Sequence, residues 1–184
     1  DSWLILGQSL SEEDRLKIQR NWLFGKQTQQ KALILNFAHG SQPLDVSLLP
    51  GSCINAELVF FESAYPLRAI VKTREDESTQ IDTIPGYSNI SNMMQEYSQA
   101  LAKNPWIEQF PAAINRVIPI KQNDSWFIRD EDKYLLPMKS RFKHNWQLLA
   151  LSGGYPIDIF GEWDGEYFLP VSVWVDNQYI NFGF

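Results

Sequence analysis

The sequence predicts an α+β protein made mainly of antiparallel β-hairpins, in two sheet-rich halves with a central helix near residues 88–103 and short flanking helices. Three observations indicate this class: short apolar runs separated by turn residues, one stretch of clear helical periodicity, and an internal echo in the last third of the chain. We expect the halves at residues 1–84 and 85–184, either as separate domains or packed as one.

The internal echo pairs residues 126–137 with residues 160–170. Each copy has an aromatic or apolar arm, an acidic turn, and then Tyr-Leu-Leu-Pro or Tyr-Phe-Leu-Pro, and residues 173–180 form a fainter third copy. Apolar alternation around turn residues predicts β-hairpins, and Asp164-Gly165 predicts a type I′ turn. The repeated tyrosines and leucines are expected to build a core. The copies are too short and irregular for a solenoid or propeller.

The N-terminal half is predicted to begin with a short helix and continue as strands. Ser11 can cap a helix and Asp14 suits the positive end of its dipole, so a helix is expected over residues 12–20. Residues 20–73 predict four antiparallel strands in two hairpins, since residues such as Ile54 and Leu58 alternate with polar neighbours. The polar stretch 73–80 predicts a mobile loop or a domain boundary.

The second half is predicted to mix helices and strands. One helical face is apolar between positions 90 and 101, through Ile90, Met93, Met94, Tyr97 and Leu101. Residues 112–120 predict a strand, and Pro119 favours an edge position or a bulge for it. Phe142, Trp146 and Leu149 have helical spacing, and Gly153-Gly154 is expected to end that helix.

Charge and hydropathy argue against nucleic-acid and membrane partners. Acidic residues outnumber basic ones, 22 to 16, for a formal net charge of −6, whereas nucleic-acid binding depends mainly on Lys and Arg that neutralise phosphates. We therefore expect no direct nucleic-acid binding, and we interpret the densest basic run, residues 139–143, as a solvated helix face. No apolar run approaches the roughly 20 residues that cross a bilayer, so no membrane partner is expected.

The single cysteine and the start of the chain give expectations about the cellular compartment. Cys53 excludes an internal disulfide, suits a reducing cytoplasm, and is expected to be buried. The chain begins at Asp1 without Met, so we expect either a trimmed chain or a fragment of a longer protein, and no leader pattern marks it for secretion.

Known catalytic patterns are absent from the sequence. The two histidines are His39 and His144, and no Cys-x-x-Cys or His-Glu-x-x-His spacing occurs, so no zinc site is predicted. Phosphate-cradling glycine loops and the Gly-x-Ser-x-Gly elbow are also missing. The sequence therefore predicts no catalytic residue, no metal ligand and no cofactor.

Two kinds of candidate site are found at the repeated turns. If the acidic turns converge, their carboxylates could hold Ca²⁺, against the alternative that they only shape the turns: Asp130, Glu131, Asp132, Glu162, Asp164 and Glu166. A carboxylate-based hydrolase would bring at least two of four of them into one cleft: Asp130, Asp132, Glu162 and Asp164. A ligand-binding surface is offered by three tryptophans and one of these acids, because exposed Trp can stack on a sugar, a peptide or a base, with buried packing as the alternative: Trp126, Trp163, Asp164 and Trp174.

Residues 20–72 carry a series of short motifs in a fixed order. They are Arg20-Asn-Trp-Leu-Phe-Gly25, Ala32-Leu-Ile-Leu-Asn-Phe-Ala38, Gly40-Ser-Gln-Pro-Leu-Asp45, Leu49-Pro-Gly51, Ala56-Glu-Leu-Val-Phe60 and Tyr65-Pro-Leu-Arg-Ala69. This series resembles the region beyond the zinc finger in bacterial SWIM zinc-finger family proteins. The zinc-binding element of that family, Cys-x-Cys followed by Cys-x-His, is absent, so no metal ligand is carried over to any residue.

The resemblance implies an accessory region of a larger cytoplasmic protein, whose other parts act on nucleic acid or protein partners, and it assigns no reaction. The expected function is therefore a non-enzymatic interaction domain, with proteins or other domains of the full-length chain as its partners. The alternatives are a carboxylate-based hydrolase and a ligand-binding β module that uses the Trp and acidic residues of the repeated turns.

Overall fold

The chain folds into two compact units, each built on an antiparallel β-sheet. The computed structural model describes residues 1–183, the side chain of Glu13 excepted. The first unit contains residues 1–82 and the described C-terminus from Asn181 onward, and the second contains residues 83–180. The α+β class is confirmed in this form, as two sheets of five and six strands with two helices in the described residues.

The first unit is a five-stranded sheet of long strands. The strands are β1 (Ser2–Glu13), β2 (Leu16–Gly25), β3 (Lys31–His39), β4 (Ser52–Phe60) and β5 (Ala69–Gln80). Their order across the sheet is β3-β2-β1-β4-β5. A parallel bridge between Leu33 and Arg68 brings the β3 edge to the start of β5, and the Leu33 amide donates to the Leu67 carbonyl over 2.7 Å. The sheet therefore curls back on itself.

The second unit contains both helices and a six-stranded sheet. Its elements are α1 (Ile90–Lys103), β6 (Phe110–Gln122), β7 (Ser125–Arg129), β8 (Leu135–Pro137), α2 (Asn145–Ser152), β9 (Ile157–Trp163), β10 (Phe168–Val175) and β11 (Gln178–Asn181). The strand order is β11-β10-β9-β6-β7-β8. A parallel bridge between Met138 and Phe168 joins the end of β8 to the start of β10.

The first five strands of the two units share one topology. In each, the first strand lies in the middle, the second and third follow on one side, and the fourth and fifth follow on the other; in the second unit β11 adds a sixth strand beside β10. The fourth strand thus lies beside the first, which is the Greek-key arrangement, and a bridge between the third and fifth strand segments partly closes the barrel. Five-stranded, partly open Greek-key barrels are of the OB-fold type.

The first barrel contains an apolar core. Its core cluster includes Trp3, Ile5, Leu23, Ile34 and Ile54. The Trp3 indole N–H is satisfied within this core by the Ala56 carbonyl, at 3.1 Å. Cys53 is buried, as expected.

Two predictions for the first unit are wrong. The helix expected over residues 12–20 is instead the β1–β2 hairpin, whose turn residues Asp14 and Arg15 have φ of 48° and 67°. Two successive left-handed residues make a type I′ turn, and Asp tolerates this conformation. The stretch 73–80, expected as a loop or boundary, continues strand β5. Its polarity reflects exposure on the outer strand of the sheet, where charged side chains are common.

The helix expected near residues 88–103 is present as α1. The Asn89 side chain caps it by accepting from the Asn92 amide over 2.9 Å, and Asn104 ends it. Pro119 lies in β6, between β9 and β7 in the sheet, yet β6 pairs with β9 only as far as Val117 and with β7 from Ile118 onward. Pro119 therefore pairs with β7 only, and its missing N–H interrupts no hydrogen-bonded pairing with β9.

The repeated hairpins are confirmed as β7–β8, β9–β10 and β10–β11 in the sheet order. Their details differ from expectation. Tyr134 and Tyr167 are exposed, while Leu136 and Leu169 are buried, so the tyrosines do not build the core. Residues 164–167 form a four-residue loop in which Gly165 alone has positive φ, at 100°, rather than a type I′ turn.

The basic run of residues 139–143 is also placed differently from expectation. It forms the connection between β8 and α2, which begins at Asn145, and is not a helix face. Gly153 ends α2 in the left-handed conformation, as predicted, with φ of 56°. Neither helix of the described chain has the length and apolarity needed to cross a bilayer.

A buried carboxylate ties α1 to the β7–β8 hairpin, and its removal is expected to destabilise the second unit. Asp130 is 4% exposed and accepts from the amides of Ile90 at 2.9 Å and Tyr134 at 2.8 Å. Asp130→Ala leaves both donors unpaired, so we expect a loss of about 1–3 kcal/mol in the free energy of unfolding, measured by urea denaturation. Faster hydrogen exchange of the Ile90 amide would accompany it.

Asp132→Asn is the matched control for this experiment. Asp132 belongs to the same turn but is exposed, and it accepts from the Asn89 side chain. We expect its replacement to change stability by less than about 0.5 kcal/mol. Equal effects of the two substitutions would contradict a structural role specific to Asp130.

Candidate ligand-binding cleft

A cleft of about 840 Å³ opens in the second unit, where four segments of the barrel meet. The segments are the β6–β7 turn, strand β7, the connection from β8 into α2, and the β9–β10 loop. The side chains on which the argument depends are Asp124, Trp126, Lys139, Ser140, Glu166 and Tyr167. Residues far apart in sequence thus share one concave surface, which is typical of small-ligand sites.

Two indoles and one ammonium group form a cluster beside this cleft, here called the aromatic wall: Trp126, Trp146 and Lys121. Trp126 lines the cleft, and Trp146 and Lys121 adjoin it through their contacts with Trp126. The ring centroids of Trp126 and Trp146 lie 5.0 Å apart at an interplanar angle of 87°, an edge-to-face pair. Lys121 Nζ lies 5.9 Å from the Trp126 ring and 5.2 Å from the Trp146 ring. Edge-to-face and cation–π contacts are each worth about 0.5–1.5 kcal/mol, so the wall is preorganised.

Local structure explains why Lys121 and Trp126 meet. Lys121 and Trp126 are cross-strand partners in the β6–β7 hairpin, two positions from the turn at Asn123-Asp124. Side chains of directly opposed residues lie on the same face of a sheet. Trp146 comes from the first turn of α2 and remains 66% exposed despite both contacts.

An ion pair at the rim of the cleft joins the connection from β8 into α2 to the β9–β10 loop. Lys139 Nζ lies 2.7 Å from Asp164 Oδ2, with both side chains partly buried. Asp164 Oδ1 accepts from the amides of Glu166 at 2.9 Å and Tyr167 at 2.7 Å, which shapes the loop. Burial alone would raise the pKa of Asp164, but the hydrogen bonds from Lys139 and from these two amides outweigh it and lower the pKa below its ordinary value.

The cleft is not a basic groove. Asp124 and Glu166 are anionic, and the charge of Lys139 is balanced by Asp164. Lys121 stands in the adjoining wall. Arg141 and Lys143 belong to the same connecting segment, but neither is among the residues that line the cleft. Fixed charges of both signs therefore face this surface, with no excess of positive charge.

A second cleft, of about 760 Å³, lies in the first unit and differs in character. Its lining is polar or small, with residues such as Gln27, Thr28, Asn55 and Arg74, and contains no aromatic side chain among the described residues. It lacks the flat apolar surface that a stacking ligand needs, so the cleft of the second unit is the stronger candidate.

The fold brings two of the four predicted ligand-binding residues to the cleft and places the other two elsewhere. Trp126 lines the cleft and Asp164 holds its rim through Lys139. Trp163 is only 3% exposed and packs edge-to-face on Tyr97 at 6.4 Å, inside the unit. Trp174 lies near the far end of β10, six residues after Phe168, or about 20 Å along the strand. Trp163 and Trp174 therefore do not share the site with Trp126.

Three residues of the site were missed by sequence reasoning: Lys121, Trp146 and Tyr167. A two-residue turn at Asn123-Asp124 makes Lys121 and Trp126 opposed neighbours, so recognition of that register would have found Lys121. Trp146 was expected on a shared helical face with Phe142, but Phe142 is buried and precedes α2. Tyr167 was expected in the core.

The acidic residues of the repeated turns have structural partners. Asp130 binds two backbone amides, Asp132 binds the Asn89 side chain, and Asp164 binds Lys139. Glu162 is buried in β9. Within residues 1–183, no group of three or more His, Cys, Asp or Glu side chains is placed to hold a metal ion, so the Ca²⁺ alternative lacks a ligand set in this part of the chain.

Comparison of the chain with family models, with curated proteins and with solved structures found no match. The resemblance of residues 20–72 to SWIM zinc-finger family proteins therefore stays a prediction. The functional argument is carried by the site itself, since a fold alone does not determine a function.

The Asp164–Lys139 pair is expected to make stability depend on pH. The folded-state pKa of Asp164 is lowered, so its contribution is present above the unfolded-state pKa of about 3.9 and is lost as pH falls through the folded value. Asp164→Asn keeps an oxygen acceptor for the loop amides but removes the ion pair. We expect the urea midpoint of this variant to lie below that of the unsubstituted protein at pH 7 and to converge with it below about pH 4.

Glu166→Gln provides the control, because it removes a charge from the same loop without touching Lys139. Its urea midpoint should stay close to that of the unsubstituted protein throughout the titration. A constant gap between the Asp164→Asn variant and the unsubstituted protein at every pH would show that the ion pair does not stabilise the fold.

Proposed function

We propose that this chain is a non-enzymatic binding module that holds a ligand or partner in the cleft of the second unit, with the aromatic wall as its main contact surface. The observation that carries the proposal is the Trp126–Trp146 pair with Lys121 lying over both rings. It provides an aromatic surface beside a polar cleft, in which Trp126 lines the cleft and Trp146 is 66% exposed.

The exposure of Trp146 supports a binding role. A Trp side chain offers more apolar area than any other residue, and folding normally removes most of it from water. Here 66% of Trp146 stays exposed although it is already held by two neighbours. Exposed, preorganised Trp and Tyr side chains are frequent energetic centres of binding surfaces, and Tyr167 adds a second exposed ring to the lining of the cleft.

The polar contacts favour binding over hydrolysis. A carboxylate-based hydrolase needs two acids that face one bond, one of them free to exchange a proton. Asp130 is buried against amides and Asp164 is engaged with Lys139, so these acids support structure. His144, the histidine nearest the site in sequence, contacts Gln147 at 3.1 Å within its own helical turn.

The proposal agrees with an accessory role in a longer, cytoplasmic protein. The SWIM-like motifs lie within residues 20–72 of the first unit, whereas the cleft belongs to the second. Under this proposal the second unit supplies recognition, and the resemblance concerns the neighbouring barrel. Its partners are then proteins, other domains of the same chain, or a ligand that such a protein carries.

Nuclear magnetic resonance titration of the ¹⁵N-labelled chain tests this function. Neutral oligosaccharides, single-stranded oligonucleotides and short peptides are added separately. We expect at least one class to shift the indole and backbone signals of residues 121–126 and 139–146. The same class should lose those shifts with Trp146→Ala and keep them with Trp106→Ala. Trp106 is a suitable control because it is 88% exposed and lies outside the cleft.

Two outcomes would contradict the proposal. If no class shifts these signals, or if the shifts cluster on other parts of the chain, the cleft is not the binding site. If mass spectrometry shows cleavage of an added probe, and Asp130→Asn or Asp164→Asn abolishes that cleavage, the hydrolase alternative replaces the binding module.

A further inference from the structure

We propose that the ligand of this cleft is a neutral oligosaccharide, one sugar ring of which stacks on the Trp146 indole. This inference rests on the proposed function and specifies its ligand class. Three features carry it: the geometry of the aromatic wall beside the cleft, the mixture of hydrogen-bonding groups that line the cleft, and the balance of charges there.

The aromatic wall suits the face of a sugar ring. Trp126 meets Trp146 edge-to-face, and Lys121 lies over both, so the orientation of the exposed indole is fixed before any ligand arrives. A pyranose presents a flat patch of C–H groups, which are apolar and slightly positive and so complement the negative face of an aromatic ring. Preorganisation reduces the entropic cost of ordering the wall on binding.

The polar groups that line the cleft suit hydroxyl groups. Sugar hydroxyls both donate and accept, and a site that binds several of them needs acceptors and donors together. Asp124 and Glu166 offer carboxylate oxygens, Ser125 and Ser140 offer hydroxyls, and Lys139 offers an ammonium group. Carboxylate acceptors are strong partners for hydroxyl donors. A ligand of phosphates, which brings acceptors and negative charge, would use only the donors among these groups.

The charge balance disfavours a nucleic acid at this site. Affinity for a phosphate backbone grows with the number of Lys and Arg residues that neutralise it. In the cleft the charge of Lys139 is already balanced by Asp164, and Asp124 and Glu166 would face the phosphates. Lys121 remains in the adjoining wall. The cleft volume of about 840 Å³ is within the usual range for sites that hold small ligands.

Isothermal titration calorimetry with neutral hexasaccharides tests the inference. The probes are β-1,4-glucose, α-1,4-glucose and β-1,4-N-acetylglucosamine hexamers at millimolar concentration. We expect at least one to bind, Trp146→Ala to weaken it about tenfold, and Trp106→Ala to change it less than about twofold. Affinity should stay nearly constant when salt rises from about 50 to about 200 mM, because a neutral ligand releases no condensed counterions.

The remaining outcomes separate the inference from the function on which it rests. Binding of a single-stranded oligonucleotide, lost with Lys121→Gln and falling steeply with salt, would overturn the sugar assignment and keep the cleft as a binding site. Binding of a peptide alone would do the same. If none of the three hexasaccharides binds, the sugar assignment is also overturned. If, in addition, no oligosaccharide, oligonucleotide or peptide shifts the resonances in the titration above, the proposed binding function is overturned as well. Circular dichroism of each variant checks that the fold is intact.

Discussion

The arrangement of the cleft depends on the backbone bridge that closes the second barrel. Where β8 ends, Met138 pairs with Phe168 of β10, and the Lys139 amide donates to the Phe168 carbonyl over 2.8 Å. This junction brings the connection from β8 into α2 beside the β9–β10 loop. Once it forms, Lys139 is within reach of Asp164, and the chain is directed towards α2, where Trp146 meets Trp126. The Trp126–Trp146 contact and the charged rim therefore depend on one long-range backbone contact, whereas Lys121 meets Trp126 within the β6–β7 hairpin.

Much of the local structure could be predicted from sequence because local rules decide it. The helix at Ile90–Lys103 follows from apolar spacing and from an Asn that caps it. The hairpins of the repeated segment follow from apolar alternation and turn residues. The failure at residues 12–20 has the same origin, since Ser and acidic residues are common both at helix starts and in tight turns. There the β1–β2 pairing decided the outcome.

The barrels and the site could not be predicted in the same way. Closure is made by backbone groups of Leu33 with Arg68 and of Met138 with Phe168, and backbone hydrogen bonds leave no periodic trace in the side chains. The site is assembled from four segments whose proximity depends on that closure. Trp126 and Asp164 were found because their turns are distinctive, while Trp163 was misplaced because sequence does not reveal which face of β9 is covered. The structure shows that Trp163 is only 3% exposed, so its face of β9 is the covered one.

The shared topology of the two barrels separates what holds the fold from what can recognise a ligand. In the second barrel the pair two positions from the first hairpin turn is Lys121 with Trp126, and in the first barrel the corresponding pair is Glu12 with Lys17. The bridges that close each barrel lie elsewhere, at residues of the third and fifth strand segments. The side chains near the turn of the first hairpin can consequently differ between the two barrels without changing the residues that close them. One scaffold, used twice in a single chain, can thus present an aromatic surface in one copy and a charged pair in the other.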